Sequence, residues 1–218
     1  MSAVFVTAIG TEIGKTYVSA RLLKGWRKAG HRVHAVKPVM SGFGEDALLM
    51  SDAGQLLQAC GETVSPQSVS GICLHRFEAP LAPNVAMRRA GVEQDYGAIL
   101  DFTRRQIEEA GAHRMIVEGA GGVMSPLTDD RLQIDFMADL ALPVILVAAP
   151  YLGAVSHTLT AIDALKARGL EIETLIISQP DPASPDPDTL AEEVLRFRQV
   201  PVSLAGHGAG FLAGHASD

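Results

Sequence analysis

Apolar positions along this 218-residue chain fall into two alternating patterns. The first is a short, continuous, β-branched run, seen at residues 4–6, 33–36, 115–117, 144–148 and 175–177. Such runs predict strands buried on both faces of a parallel sheet, because a strand with one wet face alternates apolar and polar positions instead. The second pattern is amphipathic and predicts helices over 15–28, 46–59, 94–110, 133–140 and 155–167. In the last of these, Leu159, Ile162 and Leu165 recur at helical spacing, and Gly30, Gly111 and Gly169 follow helices as C-terminal caps do. Strand–helix–strand alternation implies an α/β fold: a mostly parallel sheet with right-handed crossovers and helices on both faces. Residues 180–187 read Pro-Asp-Pro-Ala-Ser-Pro-Asp-Pro and predict a surface loop, since closely spaced prolines suit neither a helix nor a central strand. The tail after Pro201, rich in Gly, Ala and His, is expected to be loosely ordered. The length fits one domain spanning residues 1–218.

Composition narrows the function class. Apolar residues make up 47% and charged residues 20%, which is a globular balance. A net charge of −7 argues against a nucleic-acid-coating protein. It also requires any site for an anionic nucleotide to concentrate positive charge locally, and Lys15 and Lys37 are best placed to do so. Cys60 and Cys73 form neither a CxxC pair nor a disulfide framework, so a reduced cytoplasm is the expected location. The seven histidines show no zinc-hydrolase spacing, and no apolar stretch reaches the ~18 residues that span a bilayer.

The chemistry collects after the strands. The first strand is followed by a loop carrying Gly10 and then Gly14-Lys15-Thr16, directly before a helix. This is the layout of a phosphate-binding loop: glycines admit phosphates to backbone N–H groups, a lysine adds a point charge, and a threonine hydroxyl can ligate Mg²⁺. The standard spacing needs glycine at position 9, where this chain has Ile9; Gly10 comes one residue later. The second run leads into Lys37-Pro38-Val39-Met40-Ser41-Gly42, the third into Glu118-Gly119-Ala120-Gly121-Gly122, and the fourth into Tyr151-Leu152-Gly153. In a parallel sheet these points share one edge, where ligands bind. Lys37 then reads as a site cation or a solvated loop lysine, Glu118 as a Mg²⁺ ligand or a surface acid, and Asp52 as a metal ligand or a helix cap. Glu12, a carboxylate beside expected phosphates, calls for a metal or a second cation nearby.

Taken together, these segments resemble dethiobiotin synthase, a family of the P-loop NTPase superfamily. The resemblance rests on Thr11-Glu12-Ile13-Gly14-Lys15-Thr16, Lys37-Pro38 with Ser41-Gly42, Asp52, Ala82-Pro83, Glu118-Gly119-Ala120-Gly121-Gly122, and Leu152-Gly153 with His157. It implies an ATP- and Mg²⁺-dependent ligase that closes the cyclic urea of dethiobiotin from diaminopelargonate and CO₂ through a phosphorylated carbamate, in biotin biosynthesis. By the same resemblance Lys15 and Lys37 are the catalytic lysines, and Thr16, Asp52 and Glu118 hold the metal. The nucleotide would lie against Thr11, Glu12, Ile13, Gly14, Lys15, Thr16, Tyr17, Asp52, Glu118, Gly119, Ala120 and Gly121, with Ser178 and Gln179 near its base. Ser41, Leu152, Gly153 and Ser156 would meet the substrate, with the Tyr151-Leu152-Gly153 segment reaching the partner subunit's substrate in a homodimer. Ser178 and Ser156 stand where the family often has asparagine.

A partitioning-type nucleotide switch is the alternative from another class. Those proteins usually carry an extra lysine near the start of the loop, where this chain has Ala8 and Ile9, and tend to have a basic or membrane-binding surface. A cobyrinate-type amidase needs a glutaminase domain for which no chain remains. No Asn-Lys-x-Asp motif marks a GTPase.

Overall fold

The structure, a computed structural model, describes residues 2–179 and 185–206. Its strands are β1 (Ser2–Ala8), β2 (Val33–Val36), β3 (Val39–Ser41), β4 (His75–Phe77), β5 (Arg114–Glu118), β6 (Val144–Ala148), β7 (Ile172–Ser178) and β8 (Val202–Ala205). Its α-helices are α1 (Lys15–Lys28), α2 (Asp52–Cys60), α3 (Pro66–Ile72), α4 (Pro83–Ala90), α5 (Tyr96–Ala110), α6 (Gln133–Leu140), α7 (Ala154–Ala167) and α8 (Pro187–Leu195). A 3₁₀ segment, Glu45–Met50, precedes α2.

Six strands form one sheet in the order β2-β5-β1-β6-β7-β8, and every pairing is parallel. Side chains alternate between its faces. Phe5, Met115, Val117 and Leu146 point to one core, where α4 to α8 deliver Met87, Phe102, Phe136, Ile162 and Val194. Val4, Val6, Ile116 and Ile145 point to the other, where α1 to α3 deliver Val18, Leu56 and Val69. Burial on both faces explains why the strands read as unbroken apolar runs.

Local chemistry sets the helix ends. Ser51 caps α2 by accepting from the Gly54 amide, and Ser65 and Ser68 form a reciprocal capping box on α3. Pro66, Pro83 and Pro187 open α3, α4 and α8, the one helical position where a missing N–H costs nothing.

Three sequence expectations need correction. The helix expected over 46–59 is broken at Ser51, whose ψ of 156° is extended, into the 3₁₀ segment and α2. The loop expected over 180–187 gives way to helix at Pro187, with Asp186 accepting from the Asp188 amide, while residues 180–184 lie outside the described residues. The tail expected to be loose after Pro201 begins with β8, an ordered strand paired to β7; its remainder from residue 207 lies outside the described residues.

Candidate active site

The register of the sheet assembles the site. Val36 pairs with Val117, so the residues that follow them, Lys37 and Glu118, emerge side by side. Val6 pairs with Glu118, which sets the loop after β1 directly alongside. The Lys37 amide donates to Ile72 O at 2.9 Å, fixing the direction in which the chain leaves β2.

Four polar side chains meet there. Lys37 Nζ lies 2.5 Å from Asp52 Oδ2 and 2.7 Å from Glu118 Oε1. Thr16, in the first turn of α1, donates its hydroxyl to Glu118 Oε1 at 2.8 Å. Lys37 and Glu118 are buried, while the Asp52 side chain is 38% exposed toward the cleft. Asp52 is the first residue of α2, but Ser51 makes the cap, leaving the Asp52 carboxylate for the ion pair.

Electrostatics follow from this packing. Burial disfavours the Lys37 ammonium, yet Glu118 and Asp52 outweigh that penalty and hold its pKa above the usual lysine value. Burial likewise opposes the Asp52 carboxylate, and Lys37 overcomes it, so Asp52 titrates below the ordinary range. Lys15 has no such escort. Burial, reinforced by the charge of Lys37, lowers its pKa to about 8 against the opposing pull of Glu118 and Asp52, and its Nζ donates to Gly10 O at 3.2 Å. A site that leaves one buried lysine without a carboxylate partner is matched to an anion.

Lys15, Thr16, Lys37 and Asp52 open onto a cleft of about 720 Å³, while Glu118, fully buried, supports them without lining it. Thr11, Glu12, Gly14, Lys15, Thr16 and Tyr17 form one wall. Lys37, Ser41 and Asp52 form the second, and Ala120 and Gly121 contribute to the third. Glu12 holds φ 59°, a left-handed backbone that a non-glycine residue adopts at a cost of ~1–3 kcal/mol and that concentrates at functional sites. The glycine loop after β5 is tightly determined. The Gly122 amide donates to Ser125 Oγ at 2.8 Å, and a Cβ on Gly121 would stand only 2.2 Å from that oxygen. Further along, Asp129 accepts from Asn84 and from Gln94, each at 3.0 Å, which ties this loop to the start of α4.

The residues present fit a magnesium ion. Thr16, Asp52 and Glu118 offer only oxygen donors, the choice of a hard cation that retains waters. Buried Glu118 Oε2 has no hydrogen-bond partner, so a lone pair remains for a ligand.

Other expected site residues lie elsewhere. Ile13 is buried in the core beside α1, and Gly119 packs behind the cleft, where an added Cβ would stand 2.9 Å from Phe5 and Gln133. Ser178 ends β7 with its hydroxyl buried and unpartnered, and the Gln179 amide donates to Ala205 O; neither lines the cleft. Leu152, Gly153 and Ser156, around the start of α7, are exposed and do not line this chain's own cleft; Tyr151 Oη and His157 Nδ1 pair at 2.7 Å beside them. The sequence reading missed Gln55 and Ser125. Gln55 was within reach of inference, since it follows Asp52 at helical spacing and so shares its face. Tyr17 gains a second role, its hydroxyl donating to Gly206 O at 3.2 Å beside the Arg21–Gly206 bond at 2.8 Å.

Known proteins resemble this chain in sequence and in fold. A family model described as an AAA domain matches residues 2–205. An ATP-dependent dethiobiotin synthetase BioD of Phenylobacterium zucineum is 45% identical, with 96% of this chain and 92% of that protein covered. The enzyme of the same name from Caulobacter vibrioides strain NA1000 is 40% identical over 96% of this chain and 94% of its own length. Among solved structures, the MinC:MinD cell division complex of Aquifex aeolicus superposes with a TM-score of 0.55 at 12% identity, covering 95% of this chain and 82% of that one. The signal recognition particle receptor FtsY of Elizabethkingia anophelis gives 0.53 at 12% identity, over 97% and 60%. These two likenesses establish the fold alone. The near full-length relatives establish more: the chain belongs to the ATP-dependent dethiobiotin synthetase family.

Proposed function

We propose that this chain is a single-domain, cytoplasmic ligase that joins diaminopelargonate and CO₂ into the cyclic urea of dethiobiotin, converting ATP to ADP and phosphate. The observation that carries the reading is the meeting of Lys37, Asp52, Glu118 and Thr16 beside the Lys15 loop. In this reading one substrate amine takes up CO₂ as a carbamate. A carbamate oxygen then receives the γ-phosphoryl group of ATP, and the second amine attacks the carbamate carbon as phosphate leaves.

The chain's own residues bind and neutralise. Lys15 and the open N–H groups of α1 hold the phosphates, which suits a buried lysine with no acidic partner of its own. Lys37 offsets the charge of the carbamate and the transferring phosphoryl, and Ser41 orients the substrate from the same wall. Thr16, Asp52 and Glu118 would hold Mg²⁺, which supplies charge neutralisation at the phosphates. The cavity walls place donor and acceptor together, so positioning does much of the catalysis.

The same reading makes the protein a homodimer. Leu152 is fully exposed at the start of α7, and with Gly153 and Ser156 it would face the substrate in the partner's cleft. Sedimentation equilibrium at assay concentration should return the dimer mass; a monomer that turns over at full rate would remove this part. A cytoplasmic location is supported by two free thiols, Cys60 and Cys73. No described helix is long and apolar enough to cross a membrane.

The deciding assay mixes purified protein with diaminopelargonate, bicarbonate, Mg²⁺ and ATP and measures dethiobiotin. Nucleotide hydrolysis without ring product would refute the ligase reading. Lys37→Ala should bind nucleotide nearly normally yet lose roughly 3–4 kcal/mol of transition-state stabilisation, a drop of several hundredfold in turnover.

A further inference from the structure

We propose that Lys37 occupies the cation position between Asp52 and Glu118 in the nucleotide-free protein, and must vacate it before a divalent ion binds there. The inference rests on the reading of Thr16, Asp52 and Glu118 as the divalent-ion ligands, and adds an order of events to it.

The geometry leaves room for one cation. The Lys37 ammonium touches both carboxylates, at 2.5 and 2.7 Å, and Glu118 uses the same oxygen, Oε1, to accept from Thr16. A magnesium ion seeks oxygens at ~2.0–2.1 Å, and although Glu118 Oε2 is unengaged, an ion bridging the same two carboxylates would lie close to the ammonium that now bridges them. An ammonium and a dication cannot share that gap, because their mutual repulsion in a buried setting outweighs what either gains. The second lysine is not the occupant: Lys15 Nζ bonds Gly10 O instead. Lys37 also lines the cleft and has an outlet into it, on the wall that carries Ser41. Metal arrival therefore expels a positive charge toward the place where the substrate's negative charge develops. Until then the lysine offsets one of the two carboxylate charges and holds both oxygens, and the nucleotide-free protein binds free divalent ions poorly.

Binding of Mn²⁺ alone, without nucleotide, measured by electron paramagnetic resonance of the free ion, tests this. Lys37→Met should bind Mn²⁺ more tightly than wild type, on the order of tenfold, since a competing cation is gone. Lys37→Arg, which keeps the charge, should stay close to wild type. Adding Asp52→Asn to Lys37→Met should abolish the gain. Equal or weaker Mn²⁺ binding by Lys37→Met, or a gain that survives Asp52→Asn, overturns the proposal. A second measurement needs no variant that empties the site. The Lys37 ammonium resonance in ¹⁵N-lysine-labelled wild type, identified by its loss in Lys37→Arg, should show slow solvent exchange in the free protein and lose that protection with Mg²⁺ and ADP. Unchanged protection also overturns the proposal. Dethiobiotin formation by the wild type is scored separately, so failure of this ordering and failure of the ligase reading give different results.

Discussion

Gly54 offers a test in which propensity and packing point in opposite directions. It sits in the first turn of α2, two residues after Asp52, and helix propensity alone says that alanine there should stabilise by about 1 kcal/mol. The structure says otherwise. A Cβ on Gly54 would stand 2.1 Å from Leu48 O and 3.1 Å from Leu48 C. Both are backbone atoms of the 3₁₀ segment, so no rotamer change relieves the overlap. The segment must retreat by about 1 Å, an overpacking cost of ~1–3 kcal/mol that belongs at the upper end for a backbone contact. The retreat also pulls Leu48 O from the Ser51 hydroxyl, now at 2.7 Å, for about 1 kcal/mol more. The net expectation for Gly54→Ala is a loss of about 2–3 kcal/mol. Gly25, at the start of the last turn of α1 with nothing within 4 Å of its would-be Cβ, is the control, and Gly25→Ala should gain up to about 1 kcal/mol. Urea unfolding with both m-values unchanged would read the two signs directly. Nucleotide affinity should fall in Gly54→Ala alone, because the turn that carries Asp52 has moved. If both variants are stabilised alike, the account of how the 3₁₀ segment seats α2 is wrong.

Other expectations follow from the same geometry. Ser51→Ala removes the cap that accepts from the Gly54 amide at 3.1 Å and should cost about 1 kcal/mol in urea unfolding. Phe136→Ala empties a buried site packed edge-on against Phe5, centroids 5.9 Å apart, and should cost about 3–5 kcal/mol, read as a fall in thermal midpoint. Because the pKa of Lys15 is lowered to about 8, free protein at higher pH has lost this charge, whereas bound phosphates favour it. Calorimetric nucleotide titrations should therefore show proton uptake above pH 8 and affinity falling by up to about tenfold per pH unit; a flat profile from pH 7 to 9 would refute the assignment. By the same shift the contribution of Lys15 to the stability of the free protein rises with pH above 8, since the unfolded chain, with its ordinary lysine, then binds the extra proton, while the thiols of Cys60 and Cys73, pushed up to about 12 by burial, act in the opposite direction at higher pH.

Much of this was legible before any coordinates, for a physical reason. Strands β2 and β6 and helices α1 and α6 carry their full burial pattern in consecutive residues, so their ends fell where the apolar pattern changed. The convergence of Lys15, Lys37 and Glu118 followed from parallel strands alone. What stayed hidden depends on partners distant in the chain. β3 and β4 are three residues each and exist only by pairing with one another. Helices α3 and α4 begin with prolines in stretches with few apolar repeats and so go unpredicted, and the prolines before α8 read as loop through Pro187. The break before α2 falls at the Ser51 cap, and it brings the Leu48 carbonyl so close to position 54 that only glycine fits, a consequence the apolar pattern did not show. Contact between Lys37 and Asp52 could not be inferred either, since it needs the turn at Ser51 to aim the carboxylate back at the sheet.

The position of β1 in the sheet bears on how the protein is made. It leaves the ribosome well before its neighbours β5 and β6, and Val6 lies beside Glu118 and Ile145, each more than a hundred residues later. Through most of synthesis its apolar residues have no permanent partner, and closing so long a loop is slow. Until β5 and β6 emerge, the nascent chain therefore exposes an aggregation-prone strand, a natural substrate for chaperones. Amino-terminal tags or substitutions within residues 2–8 should lower the soluble yield of fresh protein more than they lower the stability of protein already folded.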